Sequence, residues 1–298
     1  MKRILVLGAQ GMMGHMLCRV LSPEHVVAGT IRGRRADDLF APAFDSVQLI
    51  TGVESSDLNS VRRSIDETTP EVVINCIGVV KQRETAAEAV PTIECNALFP
   101  HQLASLCGER NIRLLHLSTD CVFSGRAGPY AEDALPDPID LYGRSKLLGE
   151  LSEAEGLTIR TSIIGRQLSG SLSLVEWART QRGNSVRGFR NAIFSGLTTE
   201  HLAWVISHLI GEHPDLTGLW HISAPPISKL DLLTGLNSRL DLDLDIVPVD
   251  LPMIDRSLIS DRFWDTTGLR HPRWDDMLYS LGADEQFYQA LELGSLSR

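Results

Sequence analysis

The first half of the chain alternates short apolar runs with longer, helix-like stretches. Continuous apolar runs of this length are typical of strands buried on both faces of a sheet. The predicted strands are Ile4–Leu7, Val26–Ile31, Val47–Ile50, Val72–Ile77, Ile112–Leu117 and Leu157–Arg160. The predicted helices are Met12–Leu21, Asp57–Glu67, Thr92–Glu109 and Tyr142–Ala154. Because strands and helices alternate, the sequence predicts an α/β fold with a doubly wound parallel sheet covered on both faces.

The second half of the chain has a weaker pattern with separate helix and strand signals. A helix is predicted at about Thr198–Ile210, with Thr198 or Thr199 as its cap. Gly218–Ile222 resembles a short strand, and Ser228 begins a pattern similar to a capping box. These signals predict a smaller, mixed α and β lobe beside the sheet.

The change of pattern divides the chain into two predicted units. Residues 1–165 are expected to form a Rossmann-type domain that binds NAD(P), and residues 166–298 a smaller substrate-binding lobe. The stretch of about 197–222 is a candidate to return to the first domain. A length of 298 residues fits one large domain or two unequal ones, at about 150 residues per domain.

Composition and charge exclude several classes of protein. A net charge of −10 without a basic block is unfavourable for binding nucleic acid or an anionic membrane. No apolar run is long enough to span a bilayer, and the run before Gly8 is too short for a signal peptide. The five cysteines lack a Cys-x-x-Cys spacing, which predicts reduced thiols in a cytoplasmic protein. The nine histidines form no recognisable metal site, so no metal is expected.

A glycine triplet directly follows the first predicted strand. Gly8, Gly11 and Gly14 would respectively permit a tight turn, close approach of a pyrophosphate and close packing of the helix. The amino terminus of that helix offers free N–H groups to an anion. An ordinary strand–helix turn is the alternative, but the position of the triplet favours dinucleotide binding.

The second predicted strand ends at Ile31 without the acidic residue that commonly binds an adenosine ribose. Arg32, Arg34 and Arg35 follow instead, and guanidinium groups favour a 2′-phosphate. Arg32 lies 18 residues after Gly14, close to the usual offset of about 20 for this determinant. The sequence therefore favours NADPH, with a solvated loop of surface arginines as the alternative.

Tyr142 and Lys146 lie four residues apart in a predicted helix, which places them one turn apart on one face. A nearby ammonium is expected to lower the pKa of the phenol and to improve it as a proton donor near neutral pH. The same ammonium could hold a nicotinamide ribose. An exposed surface pair is the less favoured alternative.

Ser118 and Thr119 follow the fifth predicted strand. Ligands of open α/β sheets bind beyond the carboxyl ends of the strands. Either hydroxyl could therefore donate to a substrate oxygen beside Tyr142. The alternative is a simple turn cap formed by Ser118, Thr119 and Asp120.

Four segments resemble the extended short-chain dehydrogenases/reductases, and within them the dTDP-4-dehydrorhamnose reductases. They are Gly8–Gly14, Ser118–Gly125, Gly128–Asp133 and Tyr142–Glu150. The resemblance covers residues 1 to about 165 well. It implies a Rossmann fold, NADPH as cofactor with NADH possible, and a nucleotide-linked 4-keto-6-deoxy sugar as substrate.

The resemblance also implies roles for individual residues. Thr119, Tyr142 and Lys146 would be the catalytic set, with Tyr142 giving a proton to the ketone oxygen as hydride arrives from the nicotinamide. Arg160, Thr161 and Ser162 would run beside the nicotinamide. The motifs and the resemblance together assign the cofactor to Gly8, Gln10, Gly11, Met12, Met13, Gly14, Arg32, Cys76, Ile77, Gly78, Tyr142 and Lys146.

Three residues are expected to bind substrate. Lys81 follows the fourth strand, where a substrate contact and a solvated loop are equally favoured. Ser118 would donate a hydrogen bond to the sugar. Arg256, together with Arg262, would bind the diphosphate by family position, unless both pair with nearby aspartates on the surface.

The sequence therefore predicts an NADPH-preferring reductase of a nucleotide-diphosphate keto-sugar, with a homodimer expected from family analogy alone. A C4-epimerase or a dehydratase of the same fold is the enzymatic alternative. A dehydratase commonly has an acidic pair after the threonine, whereas Cys121 follows Asp120 here. A regulatory subunit that binds NADP without turnover, as in methionine adenosyltransferase, is the non-enzymatic alternative.

Overall fold

The fold is organised around one parallel sheet, seen in a computed structural model that describes residues 1–33, 44–80 and 88–296. The strands are β1 (Arg3–Leu7), β2 (Val26–Ile31), β3 (Gln48–Thr51), β4 (Val72–Asn75), β5 (Arg113–Leu117), β6 (Leu157–Arg160), β7 (Ile163–Ile164), β8 (Ser185–Phe189), β9 (Ala192–Phe194), β10 (Leu197–Thr198), β11 (Gly218–His221), β12 (Ile227–Ser228), β13 (Asp245–Val249) and β14 (Ile254–Asp255). Seven of these strands form the sheet, in the order β11-β6-β5-β4-β1-β2-β3. All the pairings between its neighbours are parallel.

Helices cover this sheet and build the second lobe. They are α1 (Met12–Leu21), α2 (Leu58–Thr68), α3 (Ala89–Ile93), α4 (Phe99–Gly108), α5 (Leu141–Leu148), α6 (Leu174–Thr180), α7 (Thr199–Glu212), α8 (Lys229–Leu240), α9 (Asp261–Thr267), α10 (Trp274–Ala283) and α11 (Glu285–Leu296). A π-helical turn (Glu94–Leu98) joins α3 to α4, and Asp120–Val122 forms a 3₁₀ turn.

The strand order confirms the predicted doubly wound α/β sheet. Alternate residues of β1 point to opposite faces, so that Ile4 and Val6 join one hydrophobic cluster and Leu5 and Leu7 join another. The first cluster includes α1 and α7, and the second includes α2 and α4. The strands β2 and β3 follow on one side of β1, and β4, β5 and β6 follow on the other, so the strand order reverses between β1 and β4. A crevice is expected at the carboxyl ends of these two strands.

Two predicted helices have different bounds in the structure. The helix predicted from Thr92 begins at Ala89, and Pro100 lies in the first turn of α4, where its missing N–H costs little. The helix predicted to reach Ala154 ends at Leu148. A Cβ on Gly149 would lie 2.0 Å from the carbonyl oxygen of Asn96, so the chain crosses the π-helical turn at a glycine.

The carboxyl-terminal half is divided between the sheet and a separate lobe. Thr198 caps α7 by accepting a hydrogen bond from the N–H of His201, and α7 packs against α1. β11 pairs with β6 at the edge of the sheet. Ser228 caps α8, which packs with α6 and α10 around a third hydrophobic cluster. Within the described residues, no helix has the length and apolar character needed to cross a membrane.

Candidate active site

The glycine triplet forms a tight turn between β1 and α1. Gly8 has a φ of +82°, a conformation that favours glycine. A Cβ on Gly14 would lie 2.2 Å from the carbonyl oxygen of Gly8, so α1 begins too close to the turn for any side chain. Gly11 precedes α1 in an extended conformation without a side-chain cap. The first N–H groups of α1 are therefore open to an anion.

A cleft of about 610 Å³ lies along this turn and across the carboxyl ends of β1, β2 and β4. Arg32 is exposed at the end of β2. Met13 and Gly14 are buried in α1 and do not form the cleft wall, whereas Met12 is half-buried. The residues assigned to the cofactor that line the cleft are Gly8, Gln10, Gly11, Arg32, Cys76, Ile77 and Gly78.

Further residues line the cleft that the sequence analysis did not identify. They follow strands that end at the same edge of the sheet, or they come from α3, the π-helical turn and the segment after β7. The fold explains the first group, since parallel strands end together, but the spacing of motifs does not reveal the second. These residues are Thr30, Ile31, Val53, Glu54, Ser55, Ser56, Val79, Glu88, Pro91, Glu94, Cys95, Leu168 and Ser169.

Tyr142 lies in the first turn of α5 beside the 3₁₀ turn that follows β5. Asp140 caps α5 by accepting a hydrogen bond of 2.8 Å from the N–H of Gly143. A Cβ on Gly143 would lie 2.2 Å from the carbonyl oxygen of Cys121, so the helix and the 3₁₀ turn are in close contact. This approach places Thr119 next to the phenol of Tyr142. Burial raises the pKa of Tyr142, an effect that the Thr119 hydroxyl partly offsets.

Lys146 is buried one turn further along α5, with 5% of its surface exposed. Its Nζ donates a hydrogen bond of 2.6 Å to the carbonyl oxygen of Leu117 and lies 3.4 Å from Nε2 of His116. Burial lowers the pKa of Lys146 from 10.5 to about 8. The pKa of Tyr142 is raised overall, because burial of the phenol is the largest effect on it.

The hydroxyl of Ser118 donates a hydrogen bond of 2.6 Å to Glu150 rather than facing the cleft with a free hydrogen. Both carboxylate oxygens of Glu150 accept hydrogen bonds of 2.8 Å from Arg160. Ser118 and Arg160 are almost fully buried. The structure thus engages the Ser118 hydrogen within the protein, which corrects the expectation that it donates to the sugar.

Positive charge gathers around Asp120, on the side of the site that faces the second lobe. Burial raises the pKa of Asp120, while Arg256 and Lys229 act in the opposite direction. Arg256 donates a hydrogen bond of 2.9 Å to the carbonyl oxygen of Phe123. Lys229 lies 3.9 Å from the ring centroid of Phe194, and burial lowers its pKa to about 8. The sequence analysis missed Lys229, although it is one of only four lysines and follows the Ser228 cap.

The remaining predicted substrate residues lie apart from this cluster. Arg262 makes a salt bridge of 3.4 Å with Glu132 and stacks 3.8 Å from the ring centroid of Trp220. Arg262 therefore pairs neither with a nearby aspartate nor with the groups around Asp120 in the described structure. Lys81, Arg34 and Arg35 lie outside the described residues.

The RmlD substrate binding domain family matches residues 1–238 of the chain. The chain belongs to this family. The dTDP-4-keto-6-deoxy-D-glucose reductase of Streptomyces niveus is 36% identical over 54% of the chain and 52% of that protein. Methionine adenosyltransferase 2 subunit beta of Xenopus laevis is 30% identical over 53% of the chain and 45% of that protein. The chain thus spans about half the length of these two relatives.

The fold is shared with solved structures across almost the whole chain. The dTDP-4-dehydrorhamnose reductase of Bacillus anthracis, solved in complex with NADP, superposes with a TM-score of 0.76 at 21% identity. The superposition covers 95% of this chain and 99% of that one. The predicted family resemblance and fold class are both confirmed.

Proposed function

We propose that the protein is an NADPH-preferring reductase of a nucleotide-diphosphate 4-keto-6-deoxy sugar, similar to dTDP-4-dehydrorhamnose reductase. The observation that carries this proposal is the position of Tyr142 and Lys146. Both lie on α5, where Tyr142 is next to Thr119. Lys146 lies near Cys76 and Cys95, two residues that line the cleft beginning at the glycine turn. This arrangement combines a dinucleotide cradle with a buried proton donor, which a ketone reductase requires.

The residues that line the cleft fit a dinucleotide. The glycine turn has no room for a side chain at Gly14 and offers the N–H groups of α1 to a pyrophosphate. Arg32 is exposed at the end where an adenosine ribose would lie, and its guanidinium suits a 2′-phosphate. When bound, NADPH would supply the hydride.

The chain's own residues would supply the proton and hold the ketone. Since burial raises the pKa of Tyr142, its phenol stays protonated at neutral pH and can donate to the carbonyl oxygen. Thr119, next to Tyr142, would bind the same oxygen. Lys146 would bind the nicotinamide ribose and offset the negative charge that remains on Tyr142 after proton transfer.

The cations around Asp120 support a phosphorylated substrate. Arg256 and Lys229 approach the site from the second lobe, and their charges exceed that of Asp120. We assign the substrate diphosphate to Arg256, with Lys229 as a second contact. Lys81 remains a proposed substrate residue outside the described segments.

The same proposal covers organisation and location. We divide the chain into a cofactor domain of residues 1–165 and a substrate lobe of residues 166–298. Residues 197–222 are assigned to the first, because β11 joins its sheet and α7 packs against α1. The five cysteines, none in a disulfide, support a cytoplasmic location.

We also propose a homodimer. The exposed apolar residues on α3, the π-helical turn and α5 that support it are Val90, Ile93, Leu98 and Leu148.

The proposal is tested by following NADPH oxidation with a panel of 4-keto-6-deoxy sugars linked to dTDP or UDP. We expect turnover with at least one of them and none with the free sugar. Stoichiometric oxidation of NADPH by wild-type protein, with the reduced sugar identified by mass spectrometry, supports a reductase. Absence of turnover across the panel would contradict the proposal.

Two alternatives give different results in the same assay. An epimerase recycles its cofactor, so it would interconvert sugars without net NADPH oxidation and retain nicotinamide on purification. A regulatory subunit would bind NADPH without turnover of any sugar, and the similarity to methionine adenosyltransferase 2 subunit beta favours this second candidate. The intact combination of Thr119, Tyr142 and Lys146 favours the reductase.

A further inference from the structure

A chain of hydrogen bonds leads from the end of β4 to Lys146. The N–H of Ile77 donates a hydrogen bond of 3.1 Å to Oδ1 of Asn75. Nδ2 of Asn75 lies 3.1 Å from Nδ1 of His116, and Nε2 of His116 lies 3.4 Å from Nζ of Lys146. Asn75 and His116 have 1% and 0% of their surface exposed. Solvent therefore does not reach the polar atoms of Asn75 and His116, and these atoms depend on each other and on Lys146 for hydrogen bonds.

The first bond fixes the direction of the others. Because Oδ1 of Asn75 accepts from Ile77, its NH₂ group must face His116, and Nδ1 of His116 must accept. A neutral imidazole then carries its hydrogen on Nε2, which points at Lys146. Burial and the charge of Lys146 keep the pKa of His116 well below its ordinary value, so the doubly protonated ring is excluded near neutral pH.

The protonation state of Lys146 decides whether this chain is satisfied. A neutral amine accepts from His116 with its lone pair and donates to Leu117. An ammonium has no lone pair, so the hydrogen of His116 must move to Nδ1, where it opposes the NH₂ group of Asn75. Turning the amide of Asn75 would relieve that contact but leave the N–H of Ile77 without its acceptor. Each option leaves a buried donor without an acceptor, which is costly.

We propose that His116, oriented by Asn75, is a positioning residue that disfavours the ammonium form of Lys146. When Lys146 loses its proton, the lone pair of its Nζ accepts the hydrogen bond from Nε2 of His116. The catalytic consequence of this inference rests on the proposed reductase function. Reduction should require the ammonium to offset the charge on Tyr142, so activity should fall as Lys146 is deprotonated. His116 and Asn75 would thereby set the alkaline limit of the reaction.

Other groups that face Lys146 also affect its protonation equilibrium. Cys95 on the π-helical turn, Cys76 after β4 and Glu150 after α5 favour its charged form, and burial opposes it. His101 on α4 acts on His116. Since these groups stay in place when His116 is changed, a shift in the variant reports the hydrogen-bond chain.

The test measures Lys146 directly, because the chain has only four lysines. Protein labelled with ¹³Cε-lysine is titrated by NMR without substrate, and Lys146→Arg identifies the signal. His116→Gln replaces Nε2 with an amide oxygen that can accept from the ammonium, so we expect the pKa of Lys146 to rise by about one unit, a tenfold change in its protonation equilibrium. His15→Gln, which alters a buried histidine that does not contact Lys146, is the matched control and should leave the pKa unchanged.

Asn75→Asp is the second variant, since a carboxylate accepts from Nδ1 and turns Nε2 into an acceptor for Lys146. The added negative charge also raises the pKa of Lys146, so the same change is measured in a His116→Phe background, where only the charge acts. We expect a larger rise when His116 is present. An equal rise in both backgrounds, or an unchanged pKa in folded His116→Gln, would overturn the inference.

The pH profile of kcat/KM then separates this inference from the proposed function. In an active wild-type enzyme, the alkaline limb should move to higher pH in His116→Gln by the shift that NMR measures. A limb that does not move contradicts the catalytic consequence. Wild-type protein without reductase activity but with the NMR shifts would reject the proposed function and retain the control of Lys146 by His116.

Discussion

The hydroxyl of Tyr288 lies 2.6 Å from Nε2 of His15, which joins the last helix to the first. Nδ1 of His15 lies 2.9 Å from the carbonyl oxygen of Gly11 and must donate to it. Burial lowers the pKa of His15 to about 4, so the ring is neutral near pH 7 and Nε2 accepts the hydrogen of Tyr288. Two hydrogen bonds of 2.7 Å between Arg19 and Asp284 lie in the same contact between α1 and the segment before α11. The carboxyl-terminal helix thus supports the glycine turn.

The neutral state of His15 predicts how stability depends on pH. Burial lowers its pKa from 6.5 to about 4, so below pH 6.5 the unfolded chain binds a proton that the folded protein does not. Its contribution is present above pH 6.5 and is lost as the pH falls to about 4. The free energy of unfolding, measured with urea at several pH values between 4 and 7, should rise with pH in the wild type. In His15→Gln this rise should be smaller by up to about 1.4 kcal/mol per pH unit. Tyr288→Phe keeps the titrating ring of His15 and should keep most of the pH dependence of the free energy of unfolding. An equal pH dependence in wild type and His15→Gln would refute the contribution of His15.

Replacing Tyr142 with Phe removes the proposed proton donor and keeps the ring. A positioned general acid typically contributes about 10²–10⁴-fold to the rate. We expect kcat to fall by that order while the dissociation constant for NADPH, measured by fluorescence titration, stays within a few-fold of wild type. Near-normal turnover in this variant would show that another group donates the proton.

Arg32→Ala is expected to lower the preference for NADPH over NADH. A charge-assisted hydrogen bond contributes about 1.5–3 kcal/mol, or roughly ten- to a hundredfold in affinity, and the exposure of Arg32 favours the lower value. The measurement is kcat/KM for each cofactor in wild type and variant. A ratio that stays constant would reject the role of Arg32.

Gly14→Ala should impair cofactor binding, because its Cβ would lie 2.2 Å from the carbonyl oxygen of Gly8. Either the turn or α1 must move, so we expect weaker NADPH binding and a lower melting temperature. Gly211→Ala in α7 is the control, since a Cβ there meets no atom within 4 Å. This control should gain up to about 1 kcal/mol in stability, because alanine favours a helix over glycine. Equal effects of the two substitutions would contradict the packing argument.

Arg256→Ala is expected to raise the KM for the nucleotide sugar by tenfold or more, on the order of one lost charge-assisted contact. Arg262→Ala is the matched control, because Arg262 is held by Glu132 and Trp220. Its KM should stay close to that of wild type. If the two variants behave alike, the diphosphate is bound elsewhere.

Local pattern was sufficient for the parts of the fold that depend on neighbouring residues. Strands buried within a sheet are continuous apolar runs, so the six strands that residues 1–165 give to the main sheet were predicted to within two residues, whereas the short strand β7 was not predicted. The caps Thr198 and Ser228 act on the next turn of chain and were visible as well. The end of α5 at Leu148 was missed; there Gly149 packs closely against Asn96, a residue distant in sequence.

The candidate site divides in the same way. The sequence by itself determined the glycine turn and the placement of Tyr142 and Lys146 on one helical face, since these follow from fixed spacing along the chain. Only the tertiary structure decided that Ser118 donates its hydrogen bond to Glu150. It also decided that burial raises the pKa of Tyr142 and that Lys229 lies close to Asp120. Burial, charge and hydrogen-bond direction at these positions are set by side chains from distant strands and from the second lobe. Spacing along one segment carries no information about such partners.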